Sequence, residues 1–167
     1  KKFLQLPEPE QKATLIRLGQ WYEKMGECCL AAESYEKAGS WDDLLRTVGQ
    51  DRGLSFGPER LPLMRRWMAN CPEKCQLRHP QALLVFMLLL FYGRDIPEMQ
   101  RYHALFQRSM ALCTDLSRQE QDQLEGEALL RLPFLYFNDI SAMSAYHRRI
   151  RALIPADRNP WTQGSPS

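Results

Sequence analysis

Apolar residues recur at steps of three and four along most of the chain, and glycines and prolines interrupt the recurrence. In the first periodic stretch Leu15, Leu18, Tyr22 and Met25 share one helical face, and Gly26 ends it. Leu30, Ala31, Ser34, Tyr35 and Ala38 make a second face, which Gly39 closes. Two short amphipathic helices joined at a glycine predict an αα-hairpin. Gly19 lacks a side chain where the partner helix should press closest, and Ala31 and Ala38 leave room for Leu18 and Tyr22. Tyr22 and Tyr35 are the large residues expected between the two helices.

The remaining chain reads the same way. Residues 1–10, with Pro7 and Pro9, are expected to be a linker, residues 11–154 a helical-repeat domain, and residues 155–167 a disordered tail. Ser40 and Asp43 predict a capping box for a third helix with Trp41, Leu44, Leu45 and Val48 inward. Gly49 to Pro58 should be a loop. A fourth helix is expected over about Arg60 to Cys71, with Pro62 in its first turn and Leu61, Met64, Trp67 and Met68 inward. Pro80 opens a fifth and Gly93 ends it; being apolar all round, it should lie at the centre. Asp95 with Glu98, and Ser117 with Glu120, predict two more boxed helices. The sixth helix carries Met99, Tyr102, Phe106 and Met110, and the next Leu124, Ala128, Leu132 and Leu135, with Pro133 kinking it. Asp139 caps a last helix bearing Met143, Tyr146, Ile150 and Leu153. No stretch reads as a strand.

Tyr92, Asp95, Ile96, Met99, Tyr102 and His103 recur 44 residues later as Tyr136, Asp139, Ile140, Met143, Tyr146 and His147. Matching face residues at unequal offsets from the opening hairpin predict stacked helix pairs of variable loop length, an α-solenoid. The order Leu18-Gly19, Tyr22, Gly26, Ala31, Tyr35, Ala38 resembles the tetratricopeptide repeat, departing from it at Leu15 and Asp43. The fold expected is all-α, with about eight helices in four antiparallel hairpins forming a right-handed α-α superhelix.

Composition narrows this only a little. With 167 residues, 44% hydrophobic and 25% charged, the chain has room for a real core. A net charge of +2 demands neither nucleic acid nor an acidic partner. Five cysteines without regular spacing point to reduced thiols and a cytoplasmic setting. The longest apolar run, Ala82 to Tyr92, is far short of the roughly 20 residues of a membrane span. A start at Lys-Lys-Phe and a Pro/Gly/Ser-rich end are expected of a fragment of a longer protein.

The run Ala38-Gly-Ser-Trp-Asp-Asp-Leu-Leu, then Leu61-Pro-Leu-Met-Arg-Arg-Trp-Met, then Cys71-Pro before the leucine-rich helix opened by His79-Pro80, resembles the helical-repeat region of MalT-like proteins. These are large ATP-dependent, LuxR-type transcriptional regulators. The resemblance runs from about Leu15 to Leu153 and implies a sensor region that takes up an effector or a partner protein. It would couple that event to self-association and to DNA binding by a helix-turn-helix outside this chain. The sequence carries no GxxxxGK[ST] phosphate loop, and no cofactor is expected in this segment. The alternative is a free-standing tetratricopeptide scaffold docking a peptide of a cytosolic partner.

Candidate chemistry is sparse, and no enzymatic activity is expected. Cys71, Cys75 and His79, spaced four and four, offer zinc-ligand types, but Pro72 breaks the helix that would align them and no fourth ligand is apparent. A buried thiol and a helix-end turn account for them, and no metal is expected. Of the adjacent Cys28 and Cys29, one should be core and one exposed. His103 and His147 hold equivalent, structural positions. Arg148, Arg149 and Arg151 complement the negative end of the last helix's dipole. If the first helix of each pair lines a concave groove, the binding positions are Gln20 and Lys24, then Met87 and Phe91, then Glu127 and Arg131. Such a mixed groove suits a peptide or a small polar effector.

Overall fold

The computed structural model of the chain describes residues 7–113 and 116–131, with single helical positions at 144, 148, 149 and 152. Eight α-helices and no strand occur among the described residues. They are α1 (Glu8–Lys24), α2 (Cys28–Ala38), α3 (Trp41–Asp51), α4 (Leu61–Asn70), α5 (Glu73–Gln76), α6 (Pro80–Tyr92), α7 (Ile96–Leu112) and α8 (Arg118–Arg131). A 3-10 turn, Pro58–Arg60, precedes α4. Two compact units divide after Cys113, so that α1 to α7 form the first and α8 belongs to the second. Of the helix expected after Asp139 only positions 144, 148, 149 and 152 are described, and they are helical; the kink at Pro133, the later copy of the 44-residue repeat and the tail fall outside the described residues. No described helix is long and apolar enough to cross a membrane.

The opening hairpin forms for the reasons its sequence offers. Helix α1 starts at Glu8, inside the stretch expected to be a linker, because Pro9 fits a first turn and Glu8 and Glu10 face the positive helix end. Helix α2 ends on Gly39, whose left-handed φ of 68° lets the Ser40 N–H reach back to Tyr35 O at 2.9 Å. Tyr35 is fully buried against Gly19, where a Cβ would stand only 2.6 Å from its ring. The contact line of α1 therefore runs through Leu15, Gly19, Tyr22 and Glu23. Leu18, Met25 and Leu30, expected inside, are 39%, 62% and 40% exposed.

Helix α3 continues through Gly49 to Asp51, beyond the expected loop start, because α6 passes close by. A Cβ on Gly49 would lie 2.8 Å from Gln81 Cβ. The capping box expected at Ser40 is not made: its hydroxyl donates to Asp43 Oδ2 at 2.6 Å and caps no backbone N–H. At Asp95 the cap is made, with the Glu98 N–H donating to its carboxylate at 3.2 Å. Glu98 turns instead to Arg65 of α4, which also holds Asp95 Oδ2 at 2.6 Å.

Helix α6 is the core of the first unit, as its apolar pattern predicts. Leu83, Phe86, Met87 and Leu90 are fully buried, and each such side chain contributes about 1.5–3 kcal/mol. Along the chain, α2 packs on α1 and α3, while α3 and α7 both pack on α6. Helix α3 thus finds its main later partner in α6 and not in α4, contrary to a simple pairing of consecutive helices. The intervening α4 buries Met64, Trp67 and Met68, and Phe56 from the supposed loop closes edge-on over Trp67 at 6.1 Å. In the second unit, α8 opens with a reciprocal capping box. Glu120 N donates to Ser117 Oγ at 3.3 Å and Ser117 N to Glu120 Oε2 at 2.8 Å. Leu124 and Ala128 are its buried residues, as the periodicity predicts.

Candidate functional site

Of the six positions expected to line a groove, the structure brings Gln20 and Lys24 together, one turn apart on the exposed side of α1. Neither side chain has a hydrogen-bond or ion-pair partner among the described residues. Met87 is 0% exposed, so it belongs to the core of α6 and presents nothing to a ligand. Phe91 is half-buried, its ring 5.7 Å from that of Tyr92. Glu127 lies half-buried in the second unit and accepts from Gln123 Nε2 at 3.1 Å. Arg131 is the last residue of α8, and its side chain lies outside the described ones.

What surrounds Gln20 and Lys24 is more informative than the pair. Leu18, Trp21 and Met25 recur at helical spacing along the same outward side of α1, with Trp21 53% exposed. The Trp21 indole leans edge-on against Tyr22 at 5.1 Å and has its outer face in solvent. Arg17 continues the polar border. An apolar strip with an indole at its middle, flanked by long polar side chains, has the make-up of a protein-binding surface.

A second concavity lies between α4 and α7, an open groove of about 610 Å³. Met68, Ala69, Tyr102 and Leu105 form its apolar part, and Arg101 and Arg108 its cationic side. Arg108 reaches Glu73 at 3.0 Å, and Arg101 sits 5.0 Å from the centre of the Tyr102 ring.

Two carboxylates join elements far apart in sequence, and neither junction was legible from spacing. Glu23 of α1 accepts from Tyr35 Oη of α2 at 3.0 Å and from Thr47 Oγ1 of α3, and pairs with Arg46 at 2.9 Å. Burial acts to raise its carboxyl, but the Arg46, Thr47 and Tyr35 hydrogen bonds outweigh that and lower it. The Tyr35 hydroxyl is pushed up to about 12 by burial and by Glu23.

Asp42, in the first turn of α3, meets the end of α5 and the turn into α6. Arg78 grips its carboxylate at 2.6 and 2.7 Å, and His79 Nε2 lies 2.9 Å from Oδ1. The Cys75 thiol completes a trio in which one ligand-type atom from each residue lies within 4.8 Å of the others. Burial works against the Asp42 charge, yet Arg78 and His79 hold its carboxyl at about 2. Burial first, then Asp42, push the Cys75 thiol up; burial and Cys75 push the neighbouring Cys71 up to about 12. Cys71 and Cys75 are both buried, where one buried thiol was expected, and Cys28 and Cys29 are both half-buried and do not divide into one core and one exposed thiol. His103 is half-buried, and burial lowers its pKa, in keeping with a packing role.

The sequence displayed Cys75 and His79 one helical turn apart. It could not display Asp42, which stands 37 residues before His79 and arrives only through the packing of α3 on α5 and α6. Comparison with family models, with curated proteins and with solved structures yields no match.

Proposed function

We propose that this chain is a protein-interaction helical-repeat region, a sensor or coupling segment of the kind carried by MalT-like LuxR-type regulators. The observation that carries this reading is the outward face of α1, where Leu18, Trp21 and Met25 stand in solvent beside Gln20 and Lys24. A large indole kept more than half exposed costs hydrophobic free energy that a partner's surface would recover. Helix pairing at Gly19 and Tyr35 and continued packing through α2, α3, α6 and α7 are consistent with a superhelical scaffold. Under this reading the chain performs no chemistry of its own in regulation. Effector or partner uptake would be passed on through self-association, and DNA would be met by a helix-turn-helix outside it.

A second reading, a free-standing scaffold docking a peptide, draws on the groove between α4 and α7, whose cationic side suits an acidic segment. One experiment addresses both. Peptides selected from a random library on the full chain are titrated against Trp21→Lys and Arg101→Ala/Arg108→Ala. The leading reading expects Trp21→Lys to weaken binding by at least about 30-fold, the loss of an aromatic anchor, with melting unchanged. Ligands that ignore Trp21 but need the two arginines would favour the groove.

A further inference from the structure

We propose that Asp42, Cys75 and His79 form a binding site for a divalent transition-metal ion of the zinc class, with water as the fourth ligand. The three residues supply one carboxylate oxygen, one thiol sulfur and one imidazole nitrogen, all donor types that zinc binds. They come from α3, from α5 and from the turn into α6, so the site exists only in the folded chain. Cys75 lies on α5, and His79, four residues on, ends the turn that leads from α5 into α6. Asp42 is carried in by α3, which packs on α5 and α6.

The geometry is close to that of a tetrahedral centre. Ligand distances of about 2.0–2.3 Å place donor atoms roughly 3.3–3.7 Å apart. The His79–Asp42 pair, at 2.9 Å, has to open slightly, and the Cys75 sulfur already lies within 4.8 Å of both. Cys75 is buried, His79 is half-buried with its side chain 19% exposed, and Asp42 is on the surface, so an ion can enter from the Asp42 side.

Arg78 is the competitor. Its guanidinium now holds both Asp42 oxygens, and its side chain is 62% exposed, so water can take over its hydrogen bonds when an ion replaces it. Coordination then exchanges one cation for another at the carboxylate. At sulfur, the incoming ion displaces the thiol proton, which goes to solvent; the bond formed is metal–sulfur, the bond broken is S–H, and no electron is transferred. The thiolate and the carboxylate together neutralise the ion's two charges. Cys71, buried beside Cys75, is not needed as a ligand.

The test is a titration of the full chain, reduced and free of oxygen, with cobalt(II) as the spectroscopic substitute and zinc as the competitor. One equivalent of cobalt should give a thiolate-to-cobalt charge-transfer band and intense tetrahedral d–d bands, both removed by zinc. Cys75→Ser and His79→Ala should lower affinity by at least about 100-fold, and Asp42→Asn by about tenfold or more. A Cys28→Ser/Cys29→Ser double variant should keep the full signal, since those thiols lie elsewhere. Zinc should also raise the melting temperature of the wild-type chain and leave that of His79→Ala in place. His79 and Asp42 are not core residues, so their variants keep the test decisive even if Cys75→Ser fails to fold. No cobalt bands, bands that survive His79→Ala, or bands lost in the Cys28/Cys29 variant would each overturn the assignment.

Discussion

Glu23 and Asp42 invite comparison, because each is a carboxylate that an arginine grips and each ties together elements distant in sequence. Around Glu23 every other partner is a hydroxyl, Tyr35 Oη and Thr47 Oγ1, and both donate to its carboxylate. Around Asp42 the other partners are a thiol and an imidazole, groups that also bind metal ions. The exposures differ in the same direction, with the Glu23 side chain at 22% and Asp42 at 56%. A charged tie that is half-buried and saturated with donors acts as structure. A similar tie at the surface, with soft donors beside it, keeps chemical options open.

Predictions that strain this contrast can be ordered by size. Gly19→Leu attacks the Glu23 junction indirectly, since its side chain would displace the buried Tyr35 ring that donates to Glu23. A loss of about 2–3 kcal/mol is expected, overpacking exceeding the gain in helix propensity. Urea unfolding measures it, and an unchanged midpoint would mean the Tyr35 ring can move aside freely.

Removing the carboxylates themselves should separate the two junctions. Glu23→Ala is expected to cost about 2 kcal/mol, a value discounted for the partial exposure of Arg46. Asp42→Asn should cost no more than about 0.5 kcal/mol, because exposed ion pairs contribute little. Equal costs in the same urea series would erase the distinction drawn between them.

The smallest effect is a dependence on pH. The folded chain holds Glu23 below its ordinary value of 4.5, so its contribution is present above that value and fades as pH falls through the lowered one. The stability gap between wild type and Glu23→Gln should therefore be widest near neutrality and shrink on going to about pH 3. Chemical unfolding at several pH values reads this directly, and a gap that widens in acid would contradict it.

Much of the local structure was legible in the sequence. Gly26 and Gly39 marked helix ends, Pro62 and Pro80 marked helix starts, and the unbroken apolar run from Ala82 foretold the central place of α6. The box at Ser117 forms in full and that at Asp95 only in its N-cap half, Glu98 having turned to Arg65, while Ser40 loses its capping role to the nearby Asp43 carboxylate. The candidate sites were less legible. Met87 has the periodicity of a groove residue and the burial of a core residue, and periodicity alone cannot separate them on a helix that is apolar all round. Leu18 and Met25 read as inward and stand outward, because the approach of Tyr35 to Gly19 rotates the contact line of α1 by part of a turn.

By itself, then, the sequence determined most of the helix ends, though not the start of α1, the end of α3 or the short α5, and which helix is most apolar. Those features rest on φ preferences, caps and hydrophobic spacing within a few residues of one another. Only the tertiary structure decided which face of α1 is covered, that α3 leans on α6, and that Asp42 and Glu23 meet the partners they do. Each of these joins side chains a dozen or more residues apart, and such meetings depend on how helices cross, which no local pattern encodes.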